Sequence, residues 1–303
     1  MRVLAIFGPT AVGKTGVAIE VAERLRERGE DPVAISCDAI QVYRGLEIVS
    51  GAPDAPERRR LEHRLVGVVG LEEEFSAGRF AELAHGEIDE LLAAGRRPIV
   101  VGGTGLYLRA ALAELELRPP VPSAIRSEVE REIAERGSEA LHGELTPELA
   151  SGVHPNDRKR IVRLTSLARL GIAPHASSDG LWTEQLRHPT TLIGLTIERD
   201  ELRARIEARV EEMLRLGAED EVRSAALAGA SRTARCAIGF EELLASDPEG
   251  MKTAQWRFAR RQLTWMRRMT DVTQIDRSGR DDAEVAAEVA AALRPGGSPI
   301  SGS

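Results

Sequence analysis

The chain has 303 residues, 42% of them hydrophobic and 29% charged, which is apolar enough for a full core and too apolar for disorder; at ~150 residues per domain it holds one large domain or two. A net charge of −7 argues against coating nucleic acid by bulk attraction but leaves room for a local basic groove. The clean apolar runs, Val3–Phe7 and Ile99–Val101, fall short of the ~20 residues of a membrane span, and no signal-peptide core follows Arg2, so neither a membrane nor a secreted protein is expected.

Val3–Phe7 reads as a buried parallel strand. Residues 8–15 follow as a glycine loop, then an amphipathic helix to about Arg28 closed by Gly29. Val33–Ser36 is a second strand ending at Cys37-Asp38, and Arg64–Val69 is expected as a third. A helix from about Phe80 to Ala94 leads to the strand Pro98–Val101, which breaks into Gly102-Gly103-Thr104-Gly105. This alternation predicts an α/β fold, a P-loop-type parallel sheet flanked by helices. The proline-rich stretch Arg118–Ser123 then leaves the pattern, because proline fixes φ and extends its predecessor. Helical segments follow at Ala124–Arg136, after Thr146-Pro147, and at Asp157–Leu170, so 119–189 reads as an inserted all-helical domain. A β-type run returns at Thr190–Ile197, then mostly helix, with a late strand near Val272–Ile275. The expected organisation is a catalytic domain of 1–118 and 190–293, the insertion, and a frayed tail at 294–303.

Gly8-Pro9-Thr10-Ala11-Val12-Gly13-Lys14-Thr15 fits GxxxxGK[ST] in the strand–loop–helix context a phosphate loop needs. Its backbone N–H groups would cradle an anion at a helix N-terminus, with Lys14 on the terminal phosphate and Thr15 on Mg²⁺. Lysine is scarce here, Lys14, Lys159 and Lys252 standing among 41 basic residues. The acid that a nucleotide hydrolase places at the end of a second strand is missing, since Ile99–Val101 runs into glycine and Thr104. Asp38 is the nearest acid, and Lys14, Asp38 and Thr104 all stand at carboxyl ends of strands, where doubly wound sheets bind ligands. The bland alternatives are a turn or cap aspartate and a flexible glycine turn.

Residues 254–268 carry Arg257, Arg260, Arg261, Arg267 and Arg268 and no acid. On a helix, 257, 260/261, 264 and 267/268 share one face, and Phe258, Gln262, Trp265, Met266 and Met269 another. An external phosphate or RNA backbone is one reading and a solvated face the other. Arg158-Lys159-Arg160 with Arg163 forms a second basic cluster open to the same two readings. Cys37 and Cys236 belong to no CxxC pair and read as small buried thiols of a reducing cytosol, and the six histidines show no metal-ligand spacing.

Taken in order, Gly8–Thr15, Ser36–Tyr43, His63-Arg64-Leu65, Phe75–Phe80, Val101–Tyr107, His154–Asp157, Ile238-Gly239-Phe240 and Arg260–Trp265 resemble the motifs of bacterial tRNA dimethylallyltransferases (tRNA isopentenyltransferases). The resemblance implies transfer of a dimethylallyl group from dimethylallyl diphosphate to the exocyclic amine of an adenosine beside the anticodon, with Mg²⁺ as cofactor. It implies Asp38 as general base, Lys14 and Thr15 as catalytic residues, residues 8–15 as the diphosphate site, and Thr15 with Asp38 at the metal. It implies tRNA or diphosphate contacts from Asp38, Ala39, Ile40, Gln41, Thr104, Arg126, Lys159, Arg160, Arg163, Arg235, Arg260, Arg261, Gln262, Thr264 and Arg267. The insertion would grip the anticodon stem–loop through shape and unstacked bases, and the protein would act as a cytoplasmic monomer. The chain departs from the family at Ala39, where serine is usual, at Ala52, where a basic residue is lost, and at Phe240, where tyrosine is common. Three other readings remain open on sequence: prenylation of free AMP, ADP or ATP, an ATP-dependent small-molecule kinase with Asp38 as base, and a non-catalytic RNA-binding protein.

Overall fold

A computed structural model of the chain describes residues 2–115, 121–172 and 185–293. The tail at 294–303 and the start of the proline-rich exit, 118–120, lie outside them. Among the described residues no helix is long and apolar enough to cross a membrane. The described residues divide into two compact units, one of 2–115 and 185–293 and the other of 121–172.

The first unit starts with β1 (Val3–Phe7), whose five residues are all buried. Strand alternation sends Val3, Ala5 and Phe7 to one face and Leu4 and Ile6 to the other, and each set joins a separate core. A strand buried on both faces can therefore be apolar throughout. Residues 8–13 lead into α1 (Lys14–Arg26), then β2 (Pro32–Ser36), the short helices α2 (Glu47–Ser50) and α3 (Ala55–Arg60), and β3 (His63–Arg64). α4 (Ala77–Ala93) starts three residues before the sequence suggests, because the Ser76 hydroxyl accepts from the Arg79 N–H and caps it. β4 (Arg97–Gly102) and α5 (Gly105–Leu112) complete this half.

The third strand is shorter than expected. It pairs with β2 only at His63 and Arg64, and Val69 returns as a lone bridge to Tyr43. Leu65 at φ 59° and Gly67 at φ 65° turn the backbone out of extended geometry, so apolar alternation across 64–69 cannot become a strand.

After the second unit the chain re-enters as β5 (Thr190–Thr196), parallel to β1. The described sheet is six-stranded and all parallel, in the order β3-β2-β4-β1-β5-β6. The second unit itself comprises α6 (Ser123–Arg136), α7 (Ser138–Gly143), α8 (Pro147–Ala150) and α9 (Arg158–Arg169), packed around Val129, Ile133, Leu141, Ile161 and Val162. The first unit continues through α10 (Arg199–Arg215), α11 (Ala218–Leu227), α12 (Phe240–Leu244), α13 (Pro248–Met266), β6 (Val272–Asp276) and α14 (Asp282–Ala292). On one face of the sheet, Val17, Val21 and Leu25 of α1 pack with Val285, Ala286 and Val289 of α14. On the other, Phe80, Ile88 and Leu91 of α4 meet Leu108 of α5 and Phe240 of α12. Each large side chain buried there contributes about 1.5–3 kcal/mol, and this packing fixes the strand ends from which the site is made.

Candidate active site

The carboxyl ends of β1, β2 and β4 deliver three segments side by side, since parallel register pairs Phe7 with Gly102 and Ser36 with Val101. The first is the loop 8–15. Ala11 (φ 63°) and Gly13 (φ 91°) flank Val12 with left-handed backbone, the alternation that turns successive N–H groups toward one side. Lys14 folds back across the loop and donates to the Gly8 and Pro9 carbonyls at 3.1 and 2.8 Å. Thr15 lies in the first turn of α1 and is partly exposed.

Asp38 follows β2. Its Oδ1 accepts from the Ile40 N–H at 2.9 Å and the Gln41 N–H at 3.4 Å, a turn that holds the carboxylate in place. Among the described residues its Oδ2 has no hydrogen-bond partner, which leaves one oxygen for chemistry. Ala39 and Ile40 are partly exposed and pack on the core. Gln41 faces inward: Ser36 donates to its Oε1 at 2.7 Å, and its Nε2 donates to the Gly51 carbonyl at 3.1 Å. Thr104 stands at the N-cap of α5 without a side-chain capping bond, so its hydroxyl is not spent on the helix.

Arg209, on α10, enters the same pocket and was not foreseen from the sequence. The buried positions of this helix are Leu202, Ile206, Val210 and Met213, and Arg209 stands on that stripe, where the period calls for an apolar residue. An arginine on the apolar stripe of an otherwise amphipathic helix is the signal that would have found it. Its Nη2 donates to the Ser50 carbonyl at 3.4 Å, while its buried Nε has no hydrogen-bond partner among the described residues. Desolvation lowers its pKa, and the charges of Asp38 and Glu57 oppose that shift. Gly51 makes the fit, because a Cβ there would come within 1.9 Å of Arg209 Nη2. Glu221 holds this corner from α11, its two carboxylate oxygens accepting the Ile48 and Val49 N–H groups at 2.8 Å each.

The electrostatics follow from this packing. Burial and the Arg209 charge push Lys14 down to about 7, with Asp38 pulling the other way. A lysine held near neutrality and an arginine thus stand close to one carboxylate, an arrangement that a polyanionic ligand would favour by restoring the lysine's charge. Burial and the Asp38 charge push the Cys37 thiol well up, so it stays protonated.

Gln262, expected as an RNA contact, ties two loops of the protein together. It is 3% exposed, accepts from the Thr10 N–H at 2.7 Å and donates to the Gly103 carbonyl at 2.8 Å, so both ends of its amide are used. The Thr10 hydroxyl donates to Gln255 Oε1 at 3.3 Å from the same helix. α13 thereby clamps the phosphate loop to the glycine turn after β4. Its other face carries the exposed Arg257, Arg260, Arg261, Arg267 and Arg268, as the spacing predicts. Arg261 lies over the Phe258 ring, and the Thr264 hydroxyl donates to the Arg260 carbonyl at 3.0 Å while accepting from Arg267. Arg235 makes a two-pronged pair with Glu241 and stacks on Phe240, which neutralises much of its charge.

In the second unit, Lys159 and Arg160 stand exposed on the first turn of α9, with Arg160 paired to its N-cap Asp157 at 3.5 Å. Arg126 on α6 and Arg163 on α9 are partly buried. Cys37 is buried as expected, but Cys236 is exposed: it sits in a short 3₁₀ turn with its Sγ on the Arg232 carbonyl at 3.3 Å rather than in a core. Among the described residues no three histidine, cysteine or acidic side chains cluster as metal ligands.

Comparison with known proteins agrees with this geometry. Residues 41–269 match the family model described as IPP transferase, and residues 1–72 match one described as Isopentenyl transferase. The chain is 36% identical to the tRNA dimethylallyltransferase of Acetivibrio thermocellus over 301 residues, covering 93% of this chain and 94% of the relative. It is 39% identical to that of an Anaeromyxobacter species over 287 residues, covering 90% and 94%. Its fold matches the crystal structure of the full-length tRNA isopentenylpyrophosphate transferase of Bacillus halodurans with a TM-score of 0.69 at 32% identity, over 96% of this chain and 94% of that one. On sequence, fold and site geometry together, the chain belongs to the IPP transferase family.

Proposed function

We propose that this protein transfers the dimethylallyl group of dimethylallyl diphosphate to the exocyclic N6 amine of the adenosine beside the anticodon of tRNA, releasing diphosphate. The observation that carries the reading is the phosphate loop with Lys14 set beside Asp38 at the carboxyl ends of β1, β2 and β4, with Arg209 near enough to act on both charges. It supplies cations for a departing diphosphate and one carboxylate oxygen for a proton. The likeness of nearly the whole chain to tRNA dimethylallyltransferases supports it.

In the reaction the bond between the prenyl C1 and the diphosphate oxygen breaks, and a bond from the adenine nitrogen to C1 forms. Negative charge grows on the diphosphate, and Lys14, Arg209 and those loop N–H groups not bonded within the protein would stabilise it. The nitrogen loses one proton, which Asp38 Oδ2 accepts while Oδ1 stays tied to the Ile40 and Gln41 amides. The Thr15 hydroxyl and Asp38 offer hard oxygens of the kind Mg²⁺ takes together with phosphate oxygens. Because the proton claims the free oxygen of Asp38, Thr15 is the protein's direct ligand in this reading. The ion would supply further charge neutralisation on the diphosphate.

The exposed arginines of α13, and Lys159 and Arg160 of the second unit, serve as phosphate-backbone contacts that position the tRNA. The enzyme would work as a monomer in the cytoplasm. The test is product mapping. After incubation with dimethylallyl diphosphate and tRNA, mass spectrometry of nuclease digests should show one C₅H₈ unit on the adenosine next to the anticodon. Asp38→Ala should still shift tRNA in a gel yet yield ~10²-fold less product. Modification at another nucleotide, or normal yield from Asp38→Ala, would refute the assignment.

A further inference from the structure

Against the phosphate loop lies a charged pair that the reaction scheme does not use. Arg277 follows β6, is only 4% exposed, and is anchored by its backbone N–H to the Thr196 carbonyl at 3.0 Å. Its guanidinium Nη1 donates to the Val12 carbonyl at 2.5 Å and to Asp282 Oδ1 at 3.0 Å, and its Nη2 to the Arg280 carbonyl at 3.2 Å. Asp282 opens α14 but does not cap it. That task falls to Asp281, whose side chain accepts the Glu284 N–H at 2.8 Å. The Asp282 carboxylate is therefore held for the arginine.

The loop is shaped around this pair. A Cβ on Gly13 would come within 1.9 Å of Arg277 Nη1, and a Cβ on Gly16 within 1.9 Å of Asp282 Oδ2. Both glycines leave the space that the pair fills. We propose that Arg277, steadied by Asp282, is a positioning residue that orients the Val12–Gly13 peptide of the phosphate loop for diphosphate binding.

The reason lies in peptide geometry. In a trans peptide the C=O and N–H point in opposite directions. Holding the Val12 carbonyl from behind thus directs the Gly13 N–H to the front, toward the anion. Without that hold the peptide is prone to flip, because Gly13 accepts either sign of φ with little cost. A charge-assisted bond to the carbonyl also polarises the N–H on the far side. Asp282 fixes the guanidinium plane and offsets its charge, so the pair acts on the peptide's orientation more than as a distant cation for the ligand.

The inference rests on diphosphate occupying loop 8–15, and the experiment separates the two ideas. Inorganic pyrophosphate is titrated calorimetrically into the full chain and into Arg277→Met, Arg277→Lys, Asp282→Asn and Lys14→Met, with tRNA affinity measured in parallel. Arg277→Met should weaken pyrophosphate binding about tenfold, the effect of one lost charge-assisted hydrogen bond, and leave tRNA affinity unchanged. Arg277→Lys, which keeps one donor, should recover part of the loss. In turnover the KM for dimethylallyl diphosphate should rise by more than kcat falls. A folded Arg277→Met that binds pyrophosphate within about twofold of the parent, while Lys14→Met does not, overturns the brace and leaves the loop assignment standing. Parent-like binding by Lys14→Met overturns the loop assignment and the brace with it. Should Arg277→Met fail to fold, Asp282→Asn decides: weaker pyrophosphate binding supports the brace, and unchanged binding overturns it.

Discussion

Lys14 gives diphosphate binding a pH dependence whose size follows from the pocket. Burial and Arg209 hold its ammonium down to about 7, and Asp38 opposes them. A bound polyanion favours the charged form, so binding carries Lys14 back toward its ordinary range above ~10. At pH 6 the free protein already holds this proton, and Lys14 takes up almost none on binding. At pH 8 only about one-tenth of the free protein has Lys14 charged, so binding takes up about 0.9 proton. Above pH 7 the affinity should therefore fall about tenfold per pH unit until the pKa of the complex is reached. The assay is calorimetric titration with dimethylallyl diphosphate in the absence of tRNA, at pH 8, in two buffers of different ionisation enthalpy. The heat difference counts the protons. Lys14→Arg keeps its charge throughout and should show neither the uptake nor the slope. Uptake below about 0.2 proton in the parent, or full uptake in Lys14→Arg, would refute the coupling.

Other outcomes follow from the same contacts. Arg209→Leu removes a cation from the pocket and should lower kcat/KM by ~10²–10³-fold; because Arg209 also depresses Lys14, proton uptake at pH 8 should shrink in that variant. Gln262→Leu strands the buried Thr10 N–H and the Gly103 carbonyl, which should cost about 1–3 kcal/mol in urea unfolding, with a raised KM for the diphosphate. Phe80→Ala opens a cavity under α4 against the Tyr107 ring and should cost about 3–5 kcal/mol in urea unfolding.

The parts of the site that could be read from the sequence are those whose chemistry is local. Loop 8–15 is legible because eight consecutive residues set its backbone, and the flanking strand and helix have clear periods. Asp38 and Thr104 could be placed at one edge because strand ends in a parallel sheet face the same way. The arginine face of α13 follows from helical spacing alone. Arg209 leaves only one mark in the sequence, an arginine on the apolar stripe of α10, and its nearness to Lys14 and Asp38 comes from how that helix packs. Gln262 carries an amide suited equally to RNA and to a backbone clamp, and the sequence does not show that it is buried between Thr10 and Gly103. Leu65 defeats the strand prediction because positive φ in a leucine has no compositional mark. Arg277 and Asp282 lie more than 260 residues from the loop they support, beyond any pattern a local reading examines.

The central claim is that this pocket handles a prenyl diphosphate for transfer to tRNA rather than a nucleoside triphosphate for hydrolysis or kinase chemistry. Its most direct test is label transfer from prenyl-labelled dimethylallyl diphosphate with Mg²⁺, offered in parallel to total tRNA and to AMP, with a tube of γ-labelled ATP and small hydroxyl acceptors alongside. The account predicts label on tRNA alone, in a single nucleotide position, and no phosphoryl transfer. Prenyl label on AMP, or phosphate label on a hydroxyl acceptor with tRNA left unmodified, would contradict it.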